Sequence, residues 1–307
     1  MEESMKFLHA VYPDLYLVDL DLPLTGFRQF ISCWILRRHG QTVVVDPGPA
    51  STASRVAEAL KHLGIEQPDF ILLTHIHLDH AGGAGQLVQY YPQTSVFVHP
   101  IGIPHLSDPK KLWDSSLKVL GEIARAYGRP VSVPAANLFS TEELQKKSHG
   151  IHVYETPGHA SHHVCYAIDD LLFAGEVAGV FLPVDSGSYM RIATPPVFKY
   201  TVYRNSLLKA AEIPAKQICF GHYGLAKYDP QIITRALQQL DLWMSIIGKF
   251  TFPLDDAGYR TVFNEILQKD PTLQTYRFLP DDIQSREKYF CLNSIKGMHG
   301  YILKNDK

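Results

Sequence analysis

Polar and apolar residues partly alternate from Leu15 to Leu20, and strand-like runs follow from Phe30 to Leu36 and from Thr42 to Val45. The last two flank Arg37-Arg38-His39-Gly40-Gln41, so β-branched and aromatic residues on either side of a glycine-containing turn predict a hairpin. Asp46-Pro47-Gly48-Pro49 ends the third run. Ser51 to Gly64 then predicts a helix with both ends marked: Ser51 or Thr52 can cap it, Val56, Leu60 and Leu63 share one apolar face, and Gly64 stops it. The apolar run that starts at Ile71 has the texture of a buried strand, a second helix carries Leu87 and Val88, and Ser95 to His99 is another strand. Strand and helix alternating at these lengths predict layered α/β organisation.

Pro100 to Leu112 reads as an ordered, proline-rich loop leading to a helix near Trp113 to Tyr127. Strands are expected at Ile151 to Glu155, Val164 to Ile168, Leu171 to Ala174 and Gln217 to Phe220, with a helix near Val202 to Ala211. Val177 to Tyr200, punctuated by glycine and proline, reads as a long loop, and such a loop in a compact domain is usually functional. Asp229 as cap and Pro230 at the first helical position open a helix in which Ile233, Leu237, Leu240, Met244 and Ile247 form an apolar stripe. Further helices are expected near Asp256 to Lys269 and Asp282 to Lys296. The division expected is a catalytic domain of residues 1–227 and a helical region, 228–307, whose stripe reads as core, with homodimerisation as the second reading.

The chemistry concentrates where the apolar run ends. Ile71-Leu72-Leu73-Thr74-His75-Ile76-His77-Leu78-Asp79-His80 passes from a strand that should stop at Thr74 to three histidines and an aspartate, with Gly82 and Gly83 giving room to turn into a helix. Imidazole and carboxylate suit a borderline divalent ion. Three imidazoles and a carboxylate packed this closely exceed one mononuclear catalytic site, which takes three protein ligands and keeps a position open, so two ions are the economical reading.

At these residues the chain resembles the metallo-β-lactamase-fold hydrolases, whose signature loop reads His-x-His-x-Asp-His. Companion motifs recur in the expected order: Thr156-Pro157-Gly158-His159, Gly175-Glu176 and Gly221-His222-Tyr223-Gly224. The resemblance implies an αββα sandwich with a helical appendage. It also implies a first ion on His75, His77 and His159, a second on Asp79, His80 and His222, Glu176 between them, and Asp46 supporting the ligands from behind. On chemistry alone His162 and His163 compete with His159. Glu176 departs from the family's usual Gly-Asp and adds one methylene, which bears on whether it bridges both ions. Zinc is the expected metal, two ions per chain, and iron or manganese also suits these donors.

Two ions ~3.5–4 Å apart can share a water, lower its pKa and polarise a substrate oxygen, so hydroxide held by the metals is the expected nucleophile. Asp79 is the carboxylate expected to orient or receive its proton. The resemblance lies on the glyoxalase II and lactonase side of the superfamily, so the expected reaction is hydrolysis of an ester, thioester or lactone. The alternative is a catalytically weak metal-binding receptor for such a small molecule. Tyr189 and Arg191 in the long loop, and His105 in the proline-rich one, are candidate substrate contacts; His99 reads as structural. Arg191 and Lys199 are the only cations between Glu176 and Tyr200, thin provision for a phosphate ester.

Composition narrows the partners. The 307 residues carry 29 lysines and arginines against 31 aspartates and glutamates, a formal charge of −2, which offers no electrostatic footprint for nucleic acid or an anionic membrane. Cys33, Cys165, Cys219 and Cys291 are dispersed in apolar surroundings and read as reduced core residues. Met-Glu-Glu-Ser-Met-Lys lacks the basic start and apolar stretch of a secretory signal, and no run approaches a membrane span, so a cytoplasmic protein acting on a small molecule is expected.

Overall fold

The computed structural model describes residues 5–147, 150–185 and 187–305; Met1 to Ser4, on which the N-terminal reading partly rests, lie outside them. The chain divides into two compact units, Met1–Val153 and Tyr154–Lys307.

In the first unit one sheet holds seven strands in sequence order: β1 (Leu8–Tyr12), β2 (Leu15–Asp19), β3 (Ser32–Arg38), β4 (Gln41–Val45), β5 (Phe70–Leu72), β6 (Ser95–Val98) and β7 (Leu138–Ser140). The pairing is antiparallel up to β4 and parallel from β4 to β7. Tight turns join β1 to β2 and β3 to β4 and a twelve-residue loop joins β2 to β3, whereas the parallel pairs need crossovers that carry the chain back. The crossovers here carry α1 (Ala53–His62), α2 (Leu78–Ala81), α3 (Ala84–Tyr90), α4 (Ile103–Ser107), α5 (Lys110–Leu120) and α6 (Glu122–Tyr127), and α7 (Thr141–Lys147) follows β7. Because Val45 of β4 pairs in register with Leu72 of β5, both strands leave the sheet at one carboxyl edge, where open α/β sheets bind ligands.

Three local expectations shift. The strand of the apolar run ends at Leu72 rather than Thr74. Thr52 does not cap α1, because its hydroxyl donates to Pro49 O at 3.1 Å instead. The single helix expected near 113–127 is two, broken where Gly121 adopts a φ of 55°.

The second unit contains β8 (Ile151–Glu155), whose last residues open it, then β9 (Val164–Ile168), β10 (Leu171–Gly175), β11 (Val180–Val184), β12 (Gly187–Arg191), α8 (Tyr200–Ala211), β13 (Gln217–Phe220) and β14 (Leu225–Lys227). Its sheet runs β14-β13-β10-β9-β8, with β10 and β13 parallel, and β11 and β12 pair as a separate ribbon. The stretch read as a long loop, Val177 to Tyr200, thus contains this ribbon, and Val180, Phe181, Leu182, Tyr189 and Met190 bury their side chains in it. Glycine and proline in the sequence hid that strand pattern.

After Lys227 the chain is helical: α9 (Pro230–Ile247), α10 (Asp256–Lys269), a 3-10 segment (Pro271–Phe278) and α11 (Asp281–Asn305), which runs beyond the expected Lys296. Asp229 caps α9 by accepting from Gln231 N–H at 2.9 Å, with Pro230 at the first helical position. The buried face of α9 is rotated from the stripe read in sequence. Ala236, Gln239 and Trp243 join Ile233, Leu240 and Ile247 in it, while Leu237 and Met244 are half-buried. Gln239 and Trp243 tolerate burial because Asp270 Oδ2 accepts from Gln239 Nε2 and from Trp243 Nε1, each at 2.7 Å. Among the described residues no helix is long and apolar enough to cross a membrane.

A charged group is buried in the same unit. Glu287 accepts from Arg191 Nε at 2.5 Å and from Arg286 Nε at 2.8 Å, and all three side chains are almost fully enclosed. Burial pushes the Glu287 carboxyl up, but the two guanidiniums outweigh it and hold the group below its ordinary value of 4.5. A depressed folded-state pKa contributes stability that is present above the unfolded value and lost as pH falls through the folded one. Glu287→Ala strands two buried guanidiniums and is expected to cost about 3–5 kcal/mol in urea unfolding at neutral pH. The wild type should lose that contribution only below about pH 4.5, so its stability advantage over the variant should shrink there; an advantage that does not change with pH counts against a charged Glu287.

Candidate metal centre

The donors supplied by the first unit sit at the carboxyl edge of β4 and β5. Asp46, the residue after β4, is buried at a φ of 51° and held there by its N–H, which donates to Leu72 O at 3.0 Å. Aspartate tolerates this left-handed conformation better than most residues. The turn aims its carboxylate back at the loop. Oδ1 accepts from Thr74 N–H at 2.8 Å, and Oδ2 accepts from the Thr74 hydroxyl at 2.7 Å and from His80 Nδ1 at 3.0 Å.

These bonds settle two tautomers. A carboxylate only accepts, so His80 carries its proton on Nδ1 and Nε2 is its donor nitrogen for an ion. The Thr74 hydroxyl has one hydrogen, which goes to Asp46. Its oxygen, 3.0 Å from His75 Nδ1, therefore accepts from that nitrogen, which leaves Nε2 of His75 too as the nitrogen able to serve an ion. The ring of His75 lies 4.6 Å from that of His77 and 4.2 Å from that of His80, centroid to centroid. Asp79, on α2, has Tyr127 of α6 donating to Oδ2 at 3.5 Å.

The second unit supplies the other three donors at the ends of its strands. His159 follows β8 in the Thr-Pro-Gly-His turn, where a Cβ on Gly158 would lie 2.5 Å from the Tyr203 ring, so only glycine permits the approach. His159 Nδ1–H donates to Ala193 O at 3.0 Å, which leaves the lone pair of Nε2, 2.8 Å from Glu176 Oε2, as the one able to serve an ion. Glu176 Oε1 is 3.6 Å from His222 Nε2. One carboxylate thus sends an oxygen toward each imidazole. His222 follows two residues after β13, and its carbonyl accepts from Phe181 N–H at 2.7 Å while the preceding Gly221 N–H donates to Gly175 O at 3.0 Å.

His163 is not in this donor group. Its Nε2 accepts from Glu176 N–H at 3.0 Å, so its proton is on Nδ1 and goes to Thr156 Oγ1 at 2.9 Å; Thr156 in turn lies 3.3 Å from Cys165 Sγ. A histidine committed at both nitrogens to neutral partners fixes the backbone of Glu176. Sequence spacing does not distinguish it from His159. Thr74 was also missed, though its place directly before His75 is the one signal that could have found it.

The candidate substrate contacts fare differently. Arg191 is buried and paired with Glu287, with its guanidinium 5.3 Å from the Phe290 ring, and Tyr189 is fully buried with its hydroxyl 3.8 Å from Cys291 Sγ. Both face α11 and are spent on packing, which corrects their reading as substrate contacts. His105 is half-buried on α4. His99 Nδ1 accepts from Ile101 N–H at 3.2 Å, a structural role.

The donor chemistry fits divalent ions. Buried imidazoles and carboxylates, with Nδ1 of His75, His80 and His159 already hydrogen-bonded so that each ring is oriented, are the ligands and backing on which zinc, iron and manganese sites are built.

Residues 26–222 match the model of the metallo-beta-lactamase superfamily, a span that includes every donor above and ends on His222. A metallo-beta-lactamase fold-containing protein of Sulfurisphaera tokodaii is 29% identical over 221 residues, 70% of this chain and 80% of that protein. A hydroxyacylglutathione hydrolase of Salmonella paratyphi A is 30% identical over 148 residues, which span 47% of this chain and only 45% of that enzyme. Among solved structures, an archaeal metallo-beta-lactamase superfamily protein from Sulfolobus tokodaii superposes with a TM-score of 0.62 at 25% identity, covering 92% of this chain and 98% of that one. A metallo-beta-lactamase family protein of Thermus thermophilus gives 0.65 at 17% identity over 97% and 95%. The fold class expected from the sequence, that of the metallo-β-lactamase fold, is the class of these structures, and the C-terminal region of this chain is helical as expected.

Replacing Asp46 with Asn keeps the size but removes the anionic acceptor shared by Thr74 and His80. The expected result is zinc binding weaker by about 10- to 100-fold, read by competition with a chromophoric chelator. Affinity equal to that of the wild type would remove Asp46 from any supporting role.

Proposed function

The chain belongs to the metallo-beta-lactamase superfamily, and from that premise we propose that it is a metal-dependent hydrolase of ester, thioester or lactone bonds in a small molecule. On the motifs that the chain shares with the superfamily, one ion is assigned to His75, His77 and His159 and a second to Asp79, His80 and His222, with Glu176 shared. The observation that carries the reading is the set of oriented histidines: the partners of Nδ1 on His75, His80 and His159 leave Nε2 of each as the ligating atom. Glu176 supports a shared position because its two oxygens face His159 and His222 separately, in spite of the extra methylene. Zinc is proposed as the metal, since nitrogen-rich donor sets with carboxylates suit it.

Divalent ions at such a site supply a water of lowered pKa and polarise the oxygen on which charge develops. The protein's own contribution is orientation. Asp79 is assigned to direct the attacking water and take its proton, with Tyr127 steadying Oδ2, and the proton then goes to the departing alcohol or thiol as the acyl bond breaks. Acyl rather than phosphoryl substrates are favoured by the scarcity of cations: Arg191 is committed to Glu287, which leaves Lys199 as the one exposed cation among the described residues between Glu176 and Tyr200. The similarity to a hydroxyacylglutathione hydrolase, an enzyme named for a thioester, agrees with this choice. Four free, buried cysteines fit a reducing compartment, and the cytoplasm is proposed on that ground.

Purified protein loaded with zinc is expected to turn over neutral esters, thioesters or lactones, to lose that activity with a chelator and to regain it on adding metal. Phosphodiester cleavage more than about tenfold better in kcat/KM, roughly 1.4 kcal/mol in barrier, would reassign the bond. No turnover of any ester in a protein that binds zinc tightly would favour the receptor reading instead. Glu176→Asp should keep two ions per chain by elemental analysis and Glu176→Ala should hold fewer; equal metal content in the alanine variant takes Glu176 out of the site.

A further inference from the structure

His159 is tied to the C-terminal helices by a hydrogen-bonded route that the proposed chemistry does not itself require. Its Nδ1–H donates to Ala193 O at 3.0 Å. Ala193 lies beyond the end of β12, and the ribbon's last pair is Val180 with Arg191, so the sheet no longer supplies partners there. Side chains of α9 and α11 take over. Ile192 N–H donates to Gln239 Oε1 at 2.5 Å, Thr194 N–H to Ser294 Oγ at 3.2 Å, and the Thr194 hydroxyl to Ser294 O at 3.3 Å. The carbonyl on which His159 depends therefore sits between two residues whose backbone is gripped by helices.

The grip is directed. Gln239 Nε2 donates to Asp270 Oδ2 at 2.7 Å and to Met190 O at 3.3 Å, which fixes the amide with Oε1 as the acceptor toward Ile192. Steric evidence points the same way. A Cβ on Gly297 would lie 2.2 Å from Thr194 O and 3.0 Å from the Pro195 carbonyl carbon, so α11 rests on this segment with no room for a side chain. Ala193, Thr194, Gln239 and Ser294 are all buried, where hydrogen bonds face no competition from water.

We propose that α9 and α11 form a positioning frame for His159: Gln239 and Ser294 fix the Ile192–Thr194 backbone so that Ala193 O holds the imidazole in the Nδ1–H tautomer with Nε2 toward Glu176. Gln239, Ser294 and Gly297 are positioning residues, and through them the helical region tunes how tightly the centre holds its ion. The proposal rests on the reading of His159 as a metal ligand.

The test uses the full chain, zinc alone as probe, and two readouts that need no substrate: affinity by chelator competition, and the imidazole 1H–15N spectrum, which reports the His159 tautomer. Ser294→Ala and Gly297→Ala are expected to weaken zinc binding about tenfold or more and to shift or broaden the His159 Nδ1–H signal. Ser294→Ala removes a single oxygen, so it decides the matter even where the clash at Gly297 prevents folding. His159→Ala is the reference. If it loses zinc while Ser294→Ala matches the wild type in affinity and spectrum, the frame is overturned and the ligand reading stands. If His159→Ala binds zinc as the wild type does, the ligand reading itself fails, and the frame with it.

Discussion

A histidine offers a divalent ion only one of its two ring nitrogens, and which one is decided by whatever holds the other. Much of this protein's architecture answers that constraint. Asp46 holds His80 directly and His75 through Thr74, from the carboxyl edge of a parallel sheet. Ala193 O holds His159 from a segment beyond a two-stranded ribbon. The strands fix where the donor residues begin, but the hydrogen bonds behind these side chains fix which atoms they present.

The two units meet the constraint with different materials. In the first, one carboxylate at a left-handed turn serves three donors, and the parallel register of β4 and β5 brings Asp46 beside Thr74. In the second, the supporting backbone is irregular, and irregular backbone inside a protein needs side chains to satisfy it. Gln239 and Ser294 do so from helices far along the chain, and the buried Arg191–Glu287 pair ties β12 to α11. Buried polar groups of this kind rarely add much net stability, because desolvation offsets most of what they gain. What they supply is a defined geometry for the segment that holds His159.

The sequence by itself determined the alternation of strands and helices, because one-dimensional periodicity follows directly from the pleat and the helical repeat. It also determined the donor types, because His75, His77, Asp79 and His80 are local in the chain and no fold is needed to see them together. It did not find the ribbon of β11 and β12, whose Pro183 and Gly187 resemble a loop, nor the rotated face of α9, where Gln239 and Trp243 look polar until Asp270 is seen beside them. Tyr189 and Arg191 read as substrate contacts for the same reason: their partners Cys291 and Glu287 lie about a hundred residues away in the chain. Only the tertiary structure decided that His163 backs Glu176 while His159 faces it, since each assignment rests on a hydrogen bond between residues that sequence spacing does not relate. Donor identity is a property of the chain; donor orientation belongs to the packed protein, because the group that fixes each imidazole is brought to it by folding.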